Sequence, residues 1–327
     1  MQKLVTIFGG SGFVGRYIAR RMAKQGWRVR VACRRPNEAH FVRMYGAVGQ
    51  VEPVFANIRD DASVAAALSG ADAAVNCVGV LAEAGPNTFD ATQAEGATRI
   101  ARLAAAEGIA TMVHISAIGA DAESDSDYAR TKAEGEAGVQ EHMPGAVILR
   151  PSIVFGPEDE FFNRFAGMAR FAPVLPVVGP NTRFQPVFVD DVAAAAEFAL
   201  LGKAQTGIYE LGGPDVDTFR ELMQTMLKVI RRRALVVTVP FFVARIMASV
   251  LDFAQTATLG ILHNGTLTRD QVRNLARDNV VTGDRPGFEA LGVAPTTMES
   301  VLPGYLWRFR PSGQYSDIKD SAKNLKT

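Results

Sequence analysis

Seven residues near the start of the chain constrain its fold more than any other feature. They form a glycine-rich run, Gly9-Gly10-Ser11-Gly12-Phe13-Val14-Gly15. A short apolar run, Lys3–Phe8, precedes them, and a stretch with helical spacing, Val14–Gln25, follows. A strand, a glycine-rich turn and a helix in this order are typical of a loop that holds the phosphates of a nucleotide. A purely structural glycine turn is the alternative.

The glycines have the spacing G-x-x-G-x-x-G, and each has a separate role in such a loop. Gly9 permits a tight turn, Gly12 lets the backbone approach a pyrophosphate, and Gly15 lets the helix pack closely on the sheet. The start of the helix adds free N–H groups and the positive end of its dipole. The run therefore predicts a dinucleotide site.

Strand and helix patterns alternate through the first half of the chain. Strands are predicted at Lys3–Phe8, Trp27–Cys33, Val51–Ala56, Ala73–Val78, Thr111–Ser116 and Ala146–Arg150. Helices are predicted at Val14–Gln25, Ser63–Leu68, Thr92–Glu107 and residues 128–141. Strands separated by helices of this length indicate a parallel sheet covered on both faces. The expected fold is α/β, a doubly wound parallel sheet of the Rossmann type.

The pattern becomes less regular beyond Pro151. Asp191 is a candidate N-cap for a helix over residues 192–200. The other expected elements are strands at 208–211 and 235–239 and a helix at 218–230.

These patterns divide the chain into three parts. Residues 1–150 are expected to form the dinucleotide-binding Rossmann domain, to which residues 187–204 return. Residues 151–306 are expected to form a smaller α/β lobe that faces a substrate or a partner. Residues 307–327 are expected to be a polar tail.

The end of the second strand indicates which dinucleotide fits the loop. Proteins that prefer NAD place an acidic residue about 20 residues beyond the loop, where it bonds the ribose 2′-hydroxyl. Here the stretch reads Ala32-Cys33-Arg34-Arg35-Pro36 and contains no acid. A guanidinium pairs with a 2′-phosphate, which a carboxylate would repel. Arg34 and Arg35 therefore predict NADP(H) as the cofactor, and two solvated surface charges are the alternative.

Composition argues against several other classes of protein. A net charge of +1 gives no overall field that would recruit nucleic acid. The two cysteines are expected to be small buried side chains, and the four histidines show no ligand spacing, so no metal site is predicted. The first strand begins at about Lys3, which leaves no room for a signal peptide. A bacterial cytoplasmic protein is the expected setting, and a mature organellar form is the alternative.

Several further motifs resemble the extended short-chain dehydrogenase/reductase superfamily. They occur in the order of that superfamily, as Asn57-Ile58-Arg59-Asp60, Val78-Gly79-Val80, Tyr128-x-x-x-Lys132, Arg150-Pro151-Ser152 and Val189-Asp190-Asp191-Val192. More narrowly, the chain resembles an atypical branch, the nucleotide-binding accessory subunits of respiratory complex I. This resemblance is carried by Ser116-Ala117-Ile118, residues 128–136, Phe155-Gly156-Pro157-Glu158-Asp159, residues 161–165 and Leu267-Thr268-Arg269-Asp270-Gln271-Val272.

The resemblance implies a set of site residues. Tyr128 would be the general acid/base, Lys132 would lower the pKa of Tyr128 and bond the nicotinamide ribose, and Ser116 would complete the set. The expected cofactor contacts are Gly9, Gly10, Ser11, Gly12, Phe13, Val14, Gly15, Arg34, Arg35, Asn57, Ile58, Val78, Gly79, Val80, Ser116, Tyr128, Lys132, Pro151 and Ser152.

The catalytic set is nevertheless incomplete when compared with active members of the superfamily. Their substrate-polarising hydroxyl usually lies one or two residues past the first serine, and here Ala117 and Ile118 follow Ser116. Gln93 also replaces the usual asparagine of the N-x-x-G motif. Tyr128 and Lys132 are then expected to hold the ribose without catalysing a reaction.

Residues 240–262 form an unusually apolar segment. On a helix, Arg245, Ser249, Asp252 and Thr256 would form one narrow polar stripe, and the rest of the surface would be apolar. A surface of this kind must be buried, and burial in the second lobe is the favoured expectation. Docking onto a partner subunit or the edge of a bilayer is the alternative. Arg231-Arg232-Arg233 and the five cations from Arg308 onward would suit an acidic partner or anionic headgroups.

The leading hypothesis is therefore an accessory subunit of bacterial NADH:ubiquinone oxidoreductase that binds NADP(H) mainly for structure. Its partners would be other subunits of complex I, with peripheral contact to the cytoplasmic face of the inner membrane. The alternative is a free-standing NADPH-dependent reductase or epimerase that acts on a small carbonyl or sugar-like substrate. A third hypothesis is a redox-sensing module without turnover.

Overall fold

A parallel β-sheet forms the centre of the computed structural model, which describes residues 2–257, 268–315 and 321. The strands of this part are β1 (Leu4–Phe8), β2 (Arg28–Cys33), β3 (Val51–Phe55), β4 (Ala73–Asn76), β5 (Thr111–Ile115), β6 (Val147–Pro151), β7 (Val154–Phe155), β8 (Val174–Val178), β9 (Arg183–Phe184), β10 (Val187–Phe188), β11 (Gly207–Leu211), β12 (Asp217–Thr218) and β13 (Leu235–Val239). Seven strands form the main sheet in the order β11-β6-β5-β4-β1-β2-β3, and all of them are parallel.

Helices cover both faces of this sheet. The α-helices of the described residues are α1 (Phe13–Lys24), α2 (Asp61–Leu68), α3 (Glu95–Ala106), α4 (Asp127–His142), α5 (Phe162–Phe171), α6 (Val189–Leu200), α7 (Phe219–Val229), α8 (Phe241–Ala257), α9 (Arg269–Asn274) and α10 (Met298–Leu306). Helices α1 and α6 pack together in one apolar core, and α2, α3 and α4 contribute to a second core. The sheet strands read as short apolar runs because both faces are buried. The predicted doubly wound α/β fold is confirmed.

Several strands and helices differ slightly from their predicted bounds. Strands β3, β4 and β5 end one or two residues early, at Phe55, Asn76 and Ile115, where the chain leaves the sheet to form loops. Helix α3 is preceded by a π-helical turn, Asp90–Ala94, which the apolar spacing did not indicate.

Asp191 is not the N-cap of α6, so that prediction is wrong. The helix begins two residues earlier, at Val189, and Phe188 occupies the N-cap position. The Asp191 carboxylate instead accepts hydrogen bonds from the backbone N–H and the hydroxyl of Thr296, a residue distant in the sequence.

Helix α4 lies unusually close to the preceding helix. A Cβ atom on Gly135 would collide with the backbone oxygen of Gln93, and one on Gly138 would collide with the Thr98 side chain. The two glycines therefore set the distance between α4 and the elements on which it packs.

The second half of the chain builds a further apolar core from α5, α7, α10 and the short strands beside them. Phenylalanine rings dominate it, and Phe161 packs against Phe162, Phe165, Phe184 and Phe219 at centroid distances of 5.0–6.3 Å. Strand β11 leaves this half and joins the main sheet beside β6. The assignment of residues 151–306 to a separate lobe stays a prediction.

Helix α8 is attached to the second half by a narrow contact. Its Ala244 and Ala248 are fully buried in a small cluster with Val178 and Val272. Phe242, at 65% exposure, and the equally exposed residues Ile246 and Val250 face away from the protein. The expected burial of this helix surface within its own lobe is therefore wrong for the described residues. Residues 258–262 and the side chains of Phe253 and Thr256 lie outside the described part.

None of the helices in the described ranges is both long and apolar enough to span a bilayer.

Candidate functional site

The glycine run forms a tight turn between β1 and α1. Gly9 has a φ of +73°, and a Cβ there would lie 3.2 Å from the backbone of Cys77 and Val78 at the end of β4. A Cβ on Gly15 would collide with the Gly9 carbonyl oxygen. Both positions therefore require glycine, and the turn lies directly above the carboxyl ends of β1 and β4.

The N-terminus of α1 is open in the way that an anion site requires. Its N-cap is Gly12, no side chain caps the helix, and its first turn contains no acidic residue. The first N–H groups of the helix therefore lack intrahelical partners and point out of the turn that holds Ser11 and Phe13. A phosphate at this point would accept hydrogen bonds from these groups.

A cavity of about 520 Å³ continues from the turn to the end of β2. It is lined by Ser11, Cys33, Arg34, Arg35, Glu38, Ala39 and Phe41. Arg34 is exposed, and in the described chain no carboxylate lies within ion-pair distance of it. Arg35 differs because its guanidinium lies 3.2 Å from the Glu38 carboxylate. The structure brings both predicted arginines to the cavity, but only Arg34 has an uncompensated charge.

The loops after β3 and β4 form the next part of the site. Ile58 is buried, and Asn57 is held in place because its N–H donates to the Ser63 hydroxyl at 2.7 Å. Val78 is fixed by a 3.0 Å bond from its N–H to the Asn76 side chain. A Cβ on Gly79 would lie 3.3 Å from the Lys132 ammonium nitrogen. The loop after β4 therefore contacts α4 at Gly79. Val80 is the next residue of this loop.

Tyr128 and Lys132 lie one turn apart on α4. The Lys132 side chain is buried, its ammonium nitrogen donates to the Ile115 carbonyl at 3.3 Å, and it lies 6.0 Å from the centroid of the Tyr128 ring. Phe89 packs edge-on against the Tyr128 ring at 5.9 Å. The structure therefore brings these two predicted residues together at the ends of β4 and β5.

The surroundings of Tyr128 and Lys132 shift the pKa values of both side chains. Burial lowers the pKa of Lys132 to about 8, against an opposing effect of Glu136 and Cys77. Burial raises the pKa of Tyr128 to about 12, and the Asp270 carboxylate adds to this rise. The expected lowering of the Tyr128 pKa by Lys132 is therefore wrong for this structure, because desolvation of the phenol and the Asp270 carboxylate both raise this pKa.

Three buried polar atoms near α4 have no hydrogen-bond partner among the described residues. They are the Ser116 hydroxyl oxygen, the Gln93 side-chain oxygen and the Nε2 atom of His114. Burial lowers the pKa of His114 to about 3, with Lys132 adding to this effect, so its imidazole is neutral. A buried polar group without a partner costs about 1–3 kcal/mol, and such groups are commonly satisfied by a ligand or water. Together with the open helix start, these atoms fit a dinucleotide that runs from Arg34 to Lys132.

Pro151 and Ser152 lie at the end of β6, on the far side of the site. The Ser152 hydroxyl lies 2.7 Å from the side-chain oxygen of Asn279, and Asn279 also accepts from the Ile153 N–H at 2.9 Å. The Ser152 hydroxyl is therefore bonded to the C-terminal segment that contains Asn279. Its predicted role as a cofactor contact stays a prediction.

Asp270 is a site residue to which the sequence patterns gave no role. Its carboxylate accepts from the Asp127 N–H at 2.8 Å, the Ser126 hydroxyl at 3.0 Å and the Tyr128 N–H at 3.3 Å. It therefore caps the N-terminus of α4 from 142–144 positions away along the chain. Its motif, residues 267–272, carried a family resemblance, and that resemblance was the only sequence signal for it.

Helix α9 also contacts two loops at the mouth of the site. The Gln271 side chain donates to the Leu81 carbonyl at 3.2 Å, and the Arg273 guanidinium donates to the Asp125 carbonyl at 3.0 Å. Arg277 adds a bond of 2.9 Å to the Asp125 side chain. Residues 268–279 therefore form a bracket between the loop after β4 and the loop before α4.

A family model described as the NAD dependent epimerase/dehydratase family matches residues 5–212, which include the glycine turn, Tyr128 and Lys132. The chain belongs to this family. 

Similar proteins of known name place the chain more narrowly within the epimerase/dehydratase family. It is 33% identical to "NADH dehydrogenase [ubiquinone] 1 alpha subcomplex subunit 9, mitochondrial" of Arabidopsis thaliana, over 95% of this chain and 79% of the plant protein. This similarity confirms the predicted resemblance to complex I accessory subunits. The chain is also 30% identical to a "Ceramide reductase" of Caulobacter vibrioides, over 72% of this chain and 74% of that protein.

Solved structures agree with the family fold. The crystal structure of DesIV, a dTDP-glucose 4,6-dehydratase from Streptomyces venezuelae with NAD and TYD bound, superposes with a TM-score of 0.69. It is 19% identical and covers 99% of this chain and all of that one. The fold of the epimerase/dehydratase family therefore extends over both halves of the chain.

The side chains of this family member limit the chemistry that the site can perform. With a pKa of about 12, the Tyr128 phenol is protonated at neutral pH and can donate a hydrogen bond or a proton. Lys132 is positioned to donate to a ribose hydroxyl. A bound dinucleotide of this kind would supply hydride transfer. Ala117 and Ile118 carry no hydroxyl that could polarise a substrate carbonyl.

Proposed function

We propose that the chain is an NADP(H)-binding accessory subunit of respiratory complex I, in which the nucleotide stabilises the fold and undergoes no turnover. The observation that carries this proposal is the 33% identity to the plant complex I subunit over 95% of the chain. Similarity of this length includes the C-terminal bracket and α8, which lie beyond the matched family region of residues 5–212. In a bacterium, the subunit would lie at the cytoplasmic face of the inner membrane.

The choice of NADP(H) is supported by the charge at the end of β2. Arg34 lines the cavity beside Ser11 and has no carboxylate partner among the described residues. No acidic residue occupies the position that would bond a free 2′-hydroxyl. A 2′-phosphate would give the Arg34 guanidinium the charge-assisted hydrogen bonds that it lacks.

A structural role for the nucleotide is supported by the state of the reactive residues. The Tyr128 phenol is held protonated by burial and by the Asp270 carboxylate. The Ser116 hydroxyl is buried without a partner among the described residues, and neither of the next two residues, Ala117 and Ile118, carries a hydroxyl. A dinucleotide would therefore be bound along its whole length, while the second hydroxyl that would polarise a substrate carbonyl is missing.

The test is to isolate the native protein from its own membranes under mild conditions. We expect it to co-purify with the subunits of NADH:ubiquinone oxidoreductase and to release NADP(H) on denaturation. A Tyr128→Phe variant should still assemble into the complex. Absence of the chain from the purified complex, or release of NAD(H) alone, would contradict the proposal.

The second candidate is a free-standing NADPH-dependent reductase or epimerase that acts on a small carbonyl or sugar-like substrate. This candidate is favoured by the retained pair of Tyr128 and Lys132. It is also favoured by the 30% identity to a ceramide reductase. Because of that identity, carbonyl substrates of the ceramide class should be tested as well. Here Tyr128→Phe should lower turnover by about 100-fold or more, because proton transfer by a positioned side chain contributes that much. NADPH oxidation is followed with carbonyl substrates, and conversion between epimers is followed by chromatography with sugar-like substrates, because an epimerase consumes no net cofactor. An unchanged rate in the variant would exclude this candidate.

A further inference from the structure

The end of β7 and the loop after it carry a motif that contains no predicted site residue. The motif reads Phe155-Gly156-Pro157-Glu158-Asp159 and belongs to the second half of the chain. A Cβ on Gly156 would lie 3.3 Å from the ring of Phe13, at the start of α1. The loop after β7 therefore packs directly against the glycine turn, and the glycine at position 156 permits this close approach.

Glu158 connects this loop to two consecutive residues of α1. One carboxylate oxygen accepts a hydrogen bond from the Tyr17 hydroxyl at 2.9 Å, and the other lies 3.6 Å from the Arg16 guanidinium. The Tyr17 side chain is buried, and burial together with Glu158 raises the pKa of the phenol, so the phenol remains a hydrogen-bond donor. Tyr17 thus fixes the carboxylate that faces Arg16.

The loop after β7 is itself held in place at Asp159. This buried carboxylate accepts from the Gly156 N–H at 3.1 Å and from the Asn163 N–H at 3.0 Å. It also accepts from the Tyr305 hydroxyl at 2.5 Å. Because Asn163 lies on α5 and Tyr305 on α10, Glu158 projects from a loop that two helices of the second half support.

Arg16 lies at the end of the first turn of α1, where its guanidinium contacts the glycine turn. Its Nε donates to the Gly12 carbonyl at 3.1 Å, and one Nη donates to the Ser11 carbonyl at 3.0 Å. The planar fork of an arginine fixes two such acceptors relative to one another. Arg16 therefore holds the last two peptide groups before the helix.

Peptide geometry links these carbonyls to the groups that would meet a phosphate. A trans peptide is planar, so its carbonyl and its N–H point in opposite directions. When Arg16 fixes the Gly12 carbonyl, it also fixes the direction of the Phe13 N–H, the first of the helix N–H groups that lack an intrahelical partner. Arg16 can therefore orient a phosphate donor without contacting the phosphate itself.

The charge of Arg16 is unusual for its position on α1. A cation in the first turn opposes the positive end of the helix dipole. The first turn contains no acidic residue, and the ion-pair partner Glu158 comes from the second half of the chain. A nucleotide pyrophosphate would bring negative charge to the same helix end. These charges favour a role for Arg16 at the phosphates over a role in helix stability alone.

We propose that Arg16 is a positioning residue for the nucleotide phosphates and that Glu158 holds it from the second half of the chain. Through the Ser11 and Gly12 carbonyls, Arg16 keeps the glycine turn in the conformation that presents its N–H groups to the pyrophosphate. The inference rests on the proposed nucleotide site and extends it, because it gives the loop after β7 a role in binding.

The test is titration of the purified full-length protein with NADPH, NADH and adenosine 2′-monophosphate, which lacks the pyrophosphate. In Arg16→Gln, we expect the dissociation constants for NADPH and NADH to rise by the same factor, about tenfold, the effect of losing one charge-assisted hydrogen bond. The affinity for adenosine 2′-monophosphate should be unchanged. Arg16→Lys should not restore binding, because one ammonium group cannot replace the planar fork.

Two further variants separate positioning from charge and from stability. Glu158→Gln removes a negative charge near the phosphates, which by charge alone would tighten binding, but loss of the ion pair with Arg16 should weaken it. Arg21→Gln is the matched control, because Arg21 lies on the same helix and is ion-paired to Asp190 and Glu197 at 2.7 and 2.9 Å. It should lower the melting temperature without changing nucleotide affinity.

The possible failures are distinguishable. A wild-type protein that binds no dinucleotide would overturn the proposed function and this inference with it. If the wild type binds NADPH, equal affinity in Arg16→Gln would overturn this inference alone. Full rescue by Arg16→Lys, or an equal loss of affinity in Arg21→Gln, would also overturn it, because Arg16 would then act through charge or through stability. Equal or tighter binding by Glu158→Gln would exclude the role of Glu158.

Discussion

Arg34 and Lys132 are two cations at opposite ends of the candidate nucleotide site. They differ in how far they are exposed to solvent. Arg34 is exposed and has no carboxylate partner in the described chain, so its charge is available to a ligand. Lys132 is buried, and its pKa falls to about 8. The sequence motifs indicate both residues but not this difference, because the burial of Lys132 depends on contacts with Ile115 of β5 and with Gly79 in the loop after β4.

Replacing Arg34 with Asp should change the preference for the dinucleotide. We expect the dissociation constant for NADPH to rise roughly 10- to 100-fold, because a hydrogen bond to a charged group contributes about 1.5–3 kcal/mol. Isothermal titration with NADPH and NADH measures both affinities. Arg35→Gln should have a smaller effect, since Arg35 is already paired with Glu38. Equal losses in the two variants would argue against a specific role for Arg34.

In the absence of nucleotide, the buried Lys132 should lower the free energy of unfolding of the protein at neutral pH. Between its pKa of about 8 in the folded protein and the ordinary value of 10.5, the unfolded chain binds more protons, so the contribution of Lys132 to stability rises with pH across this window. The free energy of unfolding of a Lys132→Met variant should thus exceed that of the wild type by on the order of 3 kcal/mol below pH 8.

The excess stability of Lys132→Met should decline towards pH 10.5, and urea unfolding at a series of pH values measures it. Lys24→Met, at an exposed lysine, serves as the control and should show no such trend. An excess that does not vary with pH would show that Lys132 is not the titrating group.

At the scale of secondary-structure elements, α9 connects α8 to the candidate nucleotide site. The Arg269 N–H donates to the Asp252 carboxylate and its guanidinium to the Ser249 hydroxyl, both on α8. The next residue, Asp270, caps α4, which carries Tyr128. A shift of α8 would therefore be transmitted to α4 through two consecutive residues.

Replacing Asp270 with Asn should loosen α4. The amide removes the negative charge at the helix N-terminus and presents N–H groups to other donors, so we expect a loss of about 1–3 kcal/mol in the free energy of unfolding. Nucleotide affinity should fall as well, because Tyr128 loses a backbone anchor. Denaturant unfolding and NADPH titration measure the two effects. Asp278→Asn, an exposed ion-pair partner of Arg183, should cost less than about 1 kcal/mol.

Patterns along the sequence predict local elements better than the contacts between them. The glycine turn and the strand and helix alternation follow from spacing within about 20 residues of chain. The capping of α4 by Asp270 joins residues more than 140 positions apart, and no local pattern encodes such a pairing. The apolar character of α8 was predicted from its composition, but its exposure depends on which elements lie nearby.

Over the whole molecule, the sheet joins the two halves of the chain. Strand β11 comes from beyond residue 200 and pairs with β6 along its length, while α6 packs on α1. A ligand that holds the glycine turn and α4 together would therefore stabilise both halves at once. The assignment of residues 187–204 to the first domain stays a prediction. The predicted N-cap at Asp191 was wrong because the helix begins earlier.

Nucleotide removal should lower the thermal stability of the whole protein. Binding to the native state alone adds roughly 4 kcal/mol when the ligand exceeds its dissociation constant a thousandfold. We expect one cooperative unfolding transition whose midpoint rises by several degrees with NADPH and by less with NADH. Differential scanning calorimetry measures this shift, and equal midpoints with and without nucleotide would contradict a stabilising role.

The contact of α4 with its neighbouring helix has a consequence for random mutagenesis. Gly135 and Gly138 leave no space for a methyl group against Gln93 and Thr98, yet neither belongs to the predicted nucleotide contacts. An alanine at either position would push α4 outward and displace Lys132 from Gly79. A screen for cofactor-deficient clones would therefore recover alleles at two residues that never touch the cofactor.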